Sequence, residues 1–131
     1  MNPGPTAVLV VDDNDDITSM LALIIDSEAD LKCVGKLASA DSLASTLSAL
    51  KPDIVLIDLT MPGRDPLDAI KQATSQFPTT RFIVLSGYDD QAVVERAVDQ
   101  GAWGFVSKHD DILLVLSAIR TVAAGGTYFK P

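Results

Sequence analysis

The sequence predicts an α/β fold, a parallel sheet covered by helices on both faces, and two observations carry that reading. Short, continuously apolar runs rich in valine and isoleucine, such as 7–11 and 54–57, have the composition of strands buried on both sides. Between such runs lie stretches of about ten to fifteen residues whose apolar positions recur at helical spacing. Strands that alternate with helices are joined by right-handed crossovers, which make the sheet parallel.

Each element follows from its own pattern. Ala7 to Val11 is the first strand. From Asn14 the period changes, and Ile17, Met20, Leu21, Ile24 and Ile25 mark a helix with Asp and Asn at its start, where a cap belongs. Leu31 to Leu37 is a strand interrupted by Lys32 and Lys36, which places it at a sheet edge. Leu43, Leu47 and Leu50 mark a helix closed by Lys51-Pro52, because the residue before proline avoids helical backbone. Ile54 to Ile57 is the most apolar strand and so central. After the loop Thr60-Met61-Pro62-Gly63, a helix carries Leu67, Ile70, Thr74 and Phe77 and stops at Pro78. Phe82 to Leu85 is the fourth strand, and Val94, Ala97 and Val98 line the helix that Gly101 ends. Gly104 to Ser107 is a short fifth strand. A last helix runs from about Asp110 to Ala124, before Gly125-Gly126. The outcome is a doubly wound (βα)5 sheet in the flavodoxin-like order 2-1-3-4-5.

Composition narrows the function classes. With 131 residues, 47% of them apolar and 21% charged, the chain is one domain able to fill a core. Its longest apolar runs, such as Met20 to Ile25, have five or six residues, against about 20 for a membrane span. The amino terminus lacks the basic and apolar regions of a secretory signal, so a cytoplasmic location is expected. A single cysteine, Cys33, excludes an internal disulfide and a cysteine-based zinc site. A net charge of −8 disfavours direct nucleic-acid binding and favours a metal cation or a basic partner.

The chemistry-bearing residues share one location. Asp12 and Asp13 end strand one, Asp58 ends strand three, Ser86 ends strand four and Lys108 ends strand five. In a doubly wound sheet, ligands sit beyond the carboxyl ends of the strands, where the order reverses. Strands one and three are neighbours there, so three carboxylates converge. Three anions at close range repel unless a cation lies among them. An all-oxygen ligand set selects a hard ion, magnesium, with manganese able to substitute. Asp15 and Asp16 read instead as solvated helix-cap acids.

Taken in order and spacing, Val10-Val11-Asp12-Asp13, Ile57-Asp58-Leu59-Thr60-Met61-Pro62-Gly63, Leu85-Ser86-Gly87 and Gly101-Ala102-Trp103-Gly104-Phe105-Val106-Ser107-Lys108 resemble the receiver domain of bacterial two-component response regulators. The resemblance spans essentially the whole chain. The Gly-Ala-x-Gly-aromatic stretch and the ending Gly125-Gly126-Thr127-Tyr128 resemble the NarL/LuxR subgroup. It implies that residues 1–124 form the receiver. Residues 125–131 would begin a linker toward a C-terminal DNA-binding domain absent from this chain.

The family's roles transfer to matching positions. Asp58 would be the phosphorylated nucleophile, taking its phosphoryl group from a sensor histidine kinase. Asp13 and Asp58 would ligate magnesium directly, Thr60 through its backbone carbonyl, and Asp12 largely through water. Lys108 would neutralise charge on the phosphoryl group, and Ser86 would offer it a hydroxyl. Thr60, Gly87 and Tyr88 would flank its pocket. Ser86 and Phe105 would form the conformational switch that controls a transcriptional output. On this reading the chain is a phospho-acceptor with self-phosphorylation and self-dephosphorylation chemistry, and not an enzyme acting on a separate substrate. A stand-alone receiver acting by protein–protein contact is the alternative.

Other classes fit less well. A flavodoxin-like electron carrier needs a phosphate-cradling loop after strand one, whereas 12–16 is Asp12-Asp13-Asn14-Asp15-Asp16. An aspartyl phosphatase of the Asp-x-Asp type needs an acid where Thr60 stands. Pro66, His109 and Phe105 depart from the residues common in the family (glycine, proline and tyrosine). His109 reads as an exposed residue near a helix cap and Cys33 as a small core residue. Ile112, Val115, Leu116 and Ile119 share one side of the last helix while Leu113 and Leu114 point away. Those two leucines, with Trp103 in the loop before strand five, are candidate interface residues for a homodimer formed on phosphorylation.

Overall fold

A computed structural model of the chain describes residues 4–61, 63, 65–87 and 91–129. The described elements run β1 (Thr6–Val11), α1 (Asp15–Asp26), β2 (Leu31–Leu37), α2 (Leu43–Leu50), β3 (Ile54–Asp58), α3 (Pro66–Gln76), β4 (Arg81–Ser86), α4 (Gln91–Asp99), β5 (Gly104–Ser107), α5 (Ile112–Ala123) and β6 (Tyr128–Phe129). All strand pairs are parallel, in the order β2-β1-β3-β4-β5-β6. The doubly wound 2-1-3-4-5 order predicted from the alternation is therefore present. A sixth strand extends it, formed by residues that the sequence assigns to the start of a linker.

Alternation along each strand divides the core between two faces. Leu9, Val11, Val55, Ile57, Phe82, Val84 and Phe105 face α2, α3 and α4. Val8, Val10, Ile54, Leu56, Ile83, Leu85 and Val106 face α1 and α5. The central strand β3 is buried along its whole length, while Lys32 and Lys36 hold β2 at an exposed edge. Each such fully buried aliphatic side chain contributes about 1.5–3 kcal/mol relative to exposure.

Capping decides where three helices leave the site end of the sheet. Asn14 Oδ1 accepts from the backbone N–H groups of Asp16 at 3.0 Å and Ile17 at 3.2 Å, with Asp15 and Asp16 in the first turn, where the helix dipole favours anions. Asp65 Oδ1 accepts from Leu67 N–H at 3.0 Å, and Pro66 occupies the first turn, a position whose N–H needs no helical partner. Asp111 Oδ1 accepts from Leu113 N–H at 2.9 Å. The last helix thus starts at Ile112, two residues after the start near Asp110 expected from the sequence.

The wheel of α5 also corrects one expectation. Leu113 is 63% exposed, but Leu114 is half-buried. One turn on from Leu114 stands fully buried Ala118, so position 114 borders the packed stripe and does not oppose it. Trp103 is half-buried against the α1/α5 core, and the Arg81 guanidinium lies 4.2 Å from its ring centroid. Cys33 is likewise half-buried against that core, and burial is the leading cause that raises its thiol pKa.

Replacing Asn14 by alanine removes the cap of α1 and is expected to cost about 1 kcal/mol. Urea unfolding should show a lower midpoint with an unchanged slope; an unchanged midpoint would deny the cap its role.

Candidate functional site

Strand register delivers the site. Val11 pairs with Ile57, so Asp12, one residue past the end of β1, lies beside Asp58 at the end of β3. Ser86 pairs with Ser107, and Lys108 follows at once. Asp12 and Asp58 are 3% and 2% exposed, and Ser86 is fully buried. Carboxylate oxygens of Asp12, Asp13 and Asp58 all lie within 4.8 Å of one another, with Asp13 on the exposed side.

Lys108 stands opposite these acids. Its Nζ is 3.0 Å from Asp12 Oδ2 and 3.2 Å from Asp58 Oδ1. Partial burial works to lower the amine's pKa, but the Asp12 and Asp58 carboxylates outweigh it and hold the pKa above 10.5. One ammonium faces three carboxylates, so a net negative charge remains.

Backbone and hydroxyl donors supply part of the compensation. Asn14 N–H donates to Asp12 Oδ1 at 2.9 Å. Thr60 N–H donates to Asp58 Oδ1 at 3.3 Å, and its hydroxyl donates to the same carboxylate at 3.2 and 3.4 Å. Both aspartates thus bind the backbone two residues on, the habit of Asp at a turn. Asp12 Oδ2 differs: it is buried, and among the described residues its one polar contact is the Lys108 ammonium at 3.0 Å, which it shares with Asp58. A buried carboxylate oxygen served by a single, shared ammonium is under-compensated. That oxygen, with the neighbouring acids, fits a hard divalent ion held by oxygen ligands.

The structure brings together Asp12, Asp13, Asp58, Thr60, Ser86 and Lys108 at one rim. Gly87 follows Ser86, and a Cβ built on it would meet nothing within 4 Å among the described residues. Phe105, three residues before Lys108, is 3% exposed within the α2/α3/α4 core. Tyr88 lies outside the described residues. His109 is exposed, and its N–H donates to Ser107 Oγ at 3.1 Å. Sequence reasoning assigned Thr60 its carbonyl and a place beside the pocket but missed its hydroxyl donation to Asp58. The Asp-x-Thr spacing is the signal that could have found it.

With this fold and this acid-and-lysine rim in place, the chain belongs to the response regulator receiver domain family, which matches residues 8–120. It is similar to NarL/LuxR-type regulators. The transcriptional regulatory protein LnrK of Bacillus subtilis is 27% identical over 124 residues, covering 95% of this chain and 56% of that protein. The oxygen regulatory protein NreC of Staphylococcus aureus is 30% identical over 122 residues, covering 92% and 56%. The chain thus spans about half the length of these curated relatives. Among solved structures, the signal receiver domain of a NarL response regulator from Mycobacterium tuberculosis superposes with a TM-score of 0.88 at 27% identity, covering 94% of this chain and 99% of that one. The response regulator domain of Thermotoga maritima CheB gives 0.85 at 29% identity, with 92% and 97% covered.

The ion pair sets a pH dependence. A folded pKa above the unfolded lysine value means that the stability from Lys108 is complete below pH 10.5 and fades as pH rises through the folded value. In metal-free buffer the wild-type chain should be more stable than Lys108→Met, by an unfolding free-energy difference that is level through neutral pH and shrinks only above 10.5. A difference that persists undiminished at high pH would mean that packing, and not charge, makes Lys108 stabilising.

Proposed function

We propose that this receiver accepts a phosphoryl group on Asp58 from a sensor histidine kinase and thereby switches a transcriptional output. The observation that carries the reading is the pairing of buried Asp58 with Lys108 at 3.2 Å beside two further carboxylates. An isolated carboxylate at a strand end would need none of this.

Phosphoryl transfer asks a protein mainly for positioning and charge neutralisation. An Asp58 carboxylate oxygen forms the new P–O bond as the P–N bond to the donor imidazole breaks. Thr60 holds that carboxylate through its N–H and hydroxyl, which limits the orientations from which it attacks. Lys108 presents fixed positive charge to the incoming oxygens. Ser86 contributes a hydroxyl at the same rim, and Gly87 beside it puts no side chain in the way of the group. Asp12, Asp13 and Asp58, with the Thr60 carbonyl, would hold magnesium or manganese, which when bound neutralises charge on the acceptor and the transferring group. The product is a covalently modified chain, so the chemistry is self-phosphorylation and self-dephosphorylation without turnover on a separate substrate.

The phosphoryl group adds nearly two negative charges and three strong acceptors. Ser86 and Phe105, on adjacent strands, are the side chains placed to relay that change. Output passes to DNA through a separate LuxR-type DNA-binding domain, with exposed Leu113 and the neighbouring half-buried Leu114 and Trp103 as contacts for a phosphorylation-dependent homodimer. A cytoplasmic location accords with this role, and no helix among the described residues is long and apolar enough to cross a membrane.

Incubation with acetyl phosphate and magnesium should add the mass of one phosphoryl group to the intact chain. Asp58→Asn, which preserves size but removes the nucleophilic charge, should take up none. Equal uptake by the variant would place the acceptor elsewhere and overturn the assignment.

A further inference from the structure

The sixth strand lies outside the roles assigned so far, and it grips the element that carries Lys108. β5 has four residues. Its last residue, Ser107, pairs with Ser86, and Lys108 follows; its first two, Gly104 and Phe105, pair with Tyr128 and Phe129 of β6. Tyr128 N–H donates to the Trp103 carbonyl at 3.0 Å, and Gly126 N–H to the Thr121 carbonyl at 3.0 Å, so the segment turns off the end of α5 straight onto the sheet edge. Gly104 admits it closely. A Cβ there would stand 3.3 Å from both the Tyr128 carbonyl oxygen and Ile83 Cγ1. Phe129 packs on the α2/α3/α4 core that contains Phe105, and Tyr128 packs on the opposite core beside Trp103. One two-residue strand therefore bridges both faces through β5.

We propose that β6 is a detachable strap whose docking on β5 is coupled to the state of Asp58, so that loading the acceptor site loosens it. This rests on the phosphoryl-acceptor reading. In the unloaded chain Lys108 is drawn onto Asp12 and Asp58, which holds the end of β5 down. A phosphoryl group carries its charge beyond the carboxylate, so Lys108 and Ser86 reach outward to it and the short β5 moves with them. Phe105, in the middle of that path, shifts relative to Phe129. A two-residue strand at a sheet edge belongs to the low-stability end of a structure, and it yields before the central strands do. Release uncovers the β5 edge and frees the chain from Gly126 onward.

The test uses the full chain with magnesium and beryllofluoride, a reversible phosphoryl mimic, and reads two signals from one sample. A ¹⁹F resonance of bound fluoride reports loading, and NMR amide exchange reports the Tyr128 N–H. Loading should speed Tyr128 exchange about tenfold, an ordinary size for coupling between sites. Because coupling is reciprocal, Phe129→Ser, which removes the strap's anchor, should bind beryllofluoride about tenfold more tightly than wild type. A bound ¹⁹F signal with unchanged Tyr128 exchange overturns the strap alone. Absence of any bound signal overturns the acceptor reading and the strap with it. The exchange measurement on wild type stands even where Phe129→Ser folds poorly.

Discussion

Two buried carboxylates share one ammonium, and most of what is distinctive in this molecule follows from that imbalance. Asp12 and Asp58 meet because β1 and β3 are hydrogen-bonded neighbours in register, and Lys108 meets them because β5 is short enough to end at the same rim. Removing two acids from water carries a penalty of several kcal/mol per ion, which mutual attraction repays only with good geometry. Here the repayment is incomplete. Thr60 and Asn14 serve one oxygen or another, yet among the described residues Asp12 Oδ2 has only the Lys108 ammonium that Asp58 also uses. A fold optimised for stability alone would place apolar residues at these positions. The retained excess of negative charge is an invitation to a cation, and the reactive carboxylate sits beside it.

Much of this is legible in the sequence. Strand-terminal acids at 12, 13 and 58 and a lysine at 108 stand out because each lies within two residues of the end of an apolar run, and the parallel topology then forces them to one end of the sheet. The burial alternation along β1, with Leu9 and Val11 facing one core and Val8 and Val10 the other, is invisible as a pattern because residues 7–11 are all apolar. That is why such strands read as continuous runs. Leu114 was misplaced since Ala118, a small residue, adds little weight to a helical wheel but marks its packed side. The Asp-x-Thr spacing brings the Thr60 hydroxyl within reach of Asp58, but the bond itself also needs one side-chain rotamer. β6 escaped notice for a different reason. Two residues after Gly125-Gly126 carry no periodicity, and only the open edge of β5 turns them into a strand.

The two cores also explain how a change at the rim could travel. β4 and β5 each contribute alternate residues to both faces, so a displacement of their ends is felt by α4 on one side and α5 on the other. At the opposite end of the sheet, Arg81 Nη1 donates to the Val122 carbonyl at 2.9 Å while its guanidinium covers Trp103. That contact ties β4, the loop before β5 and the end of α5 into one block.

Magnesium dependence of unfolding tests the central claim most directly. At a hundredfold excess over its dissociation constant, an ion bound only by the folded chain adds about 2.7 kcal/mol. Wild-type protein should show that gain in urea titrations, and Asp13→Asn, which removes one ligand charge on the exposed side of the cluster, should lose most of it at the same ion concentration. Equal unfolding free energies for wild type with and without saturating magnesium would contradict the account, because the gathered carboxylates would then serve no cation.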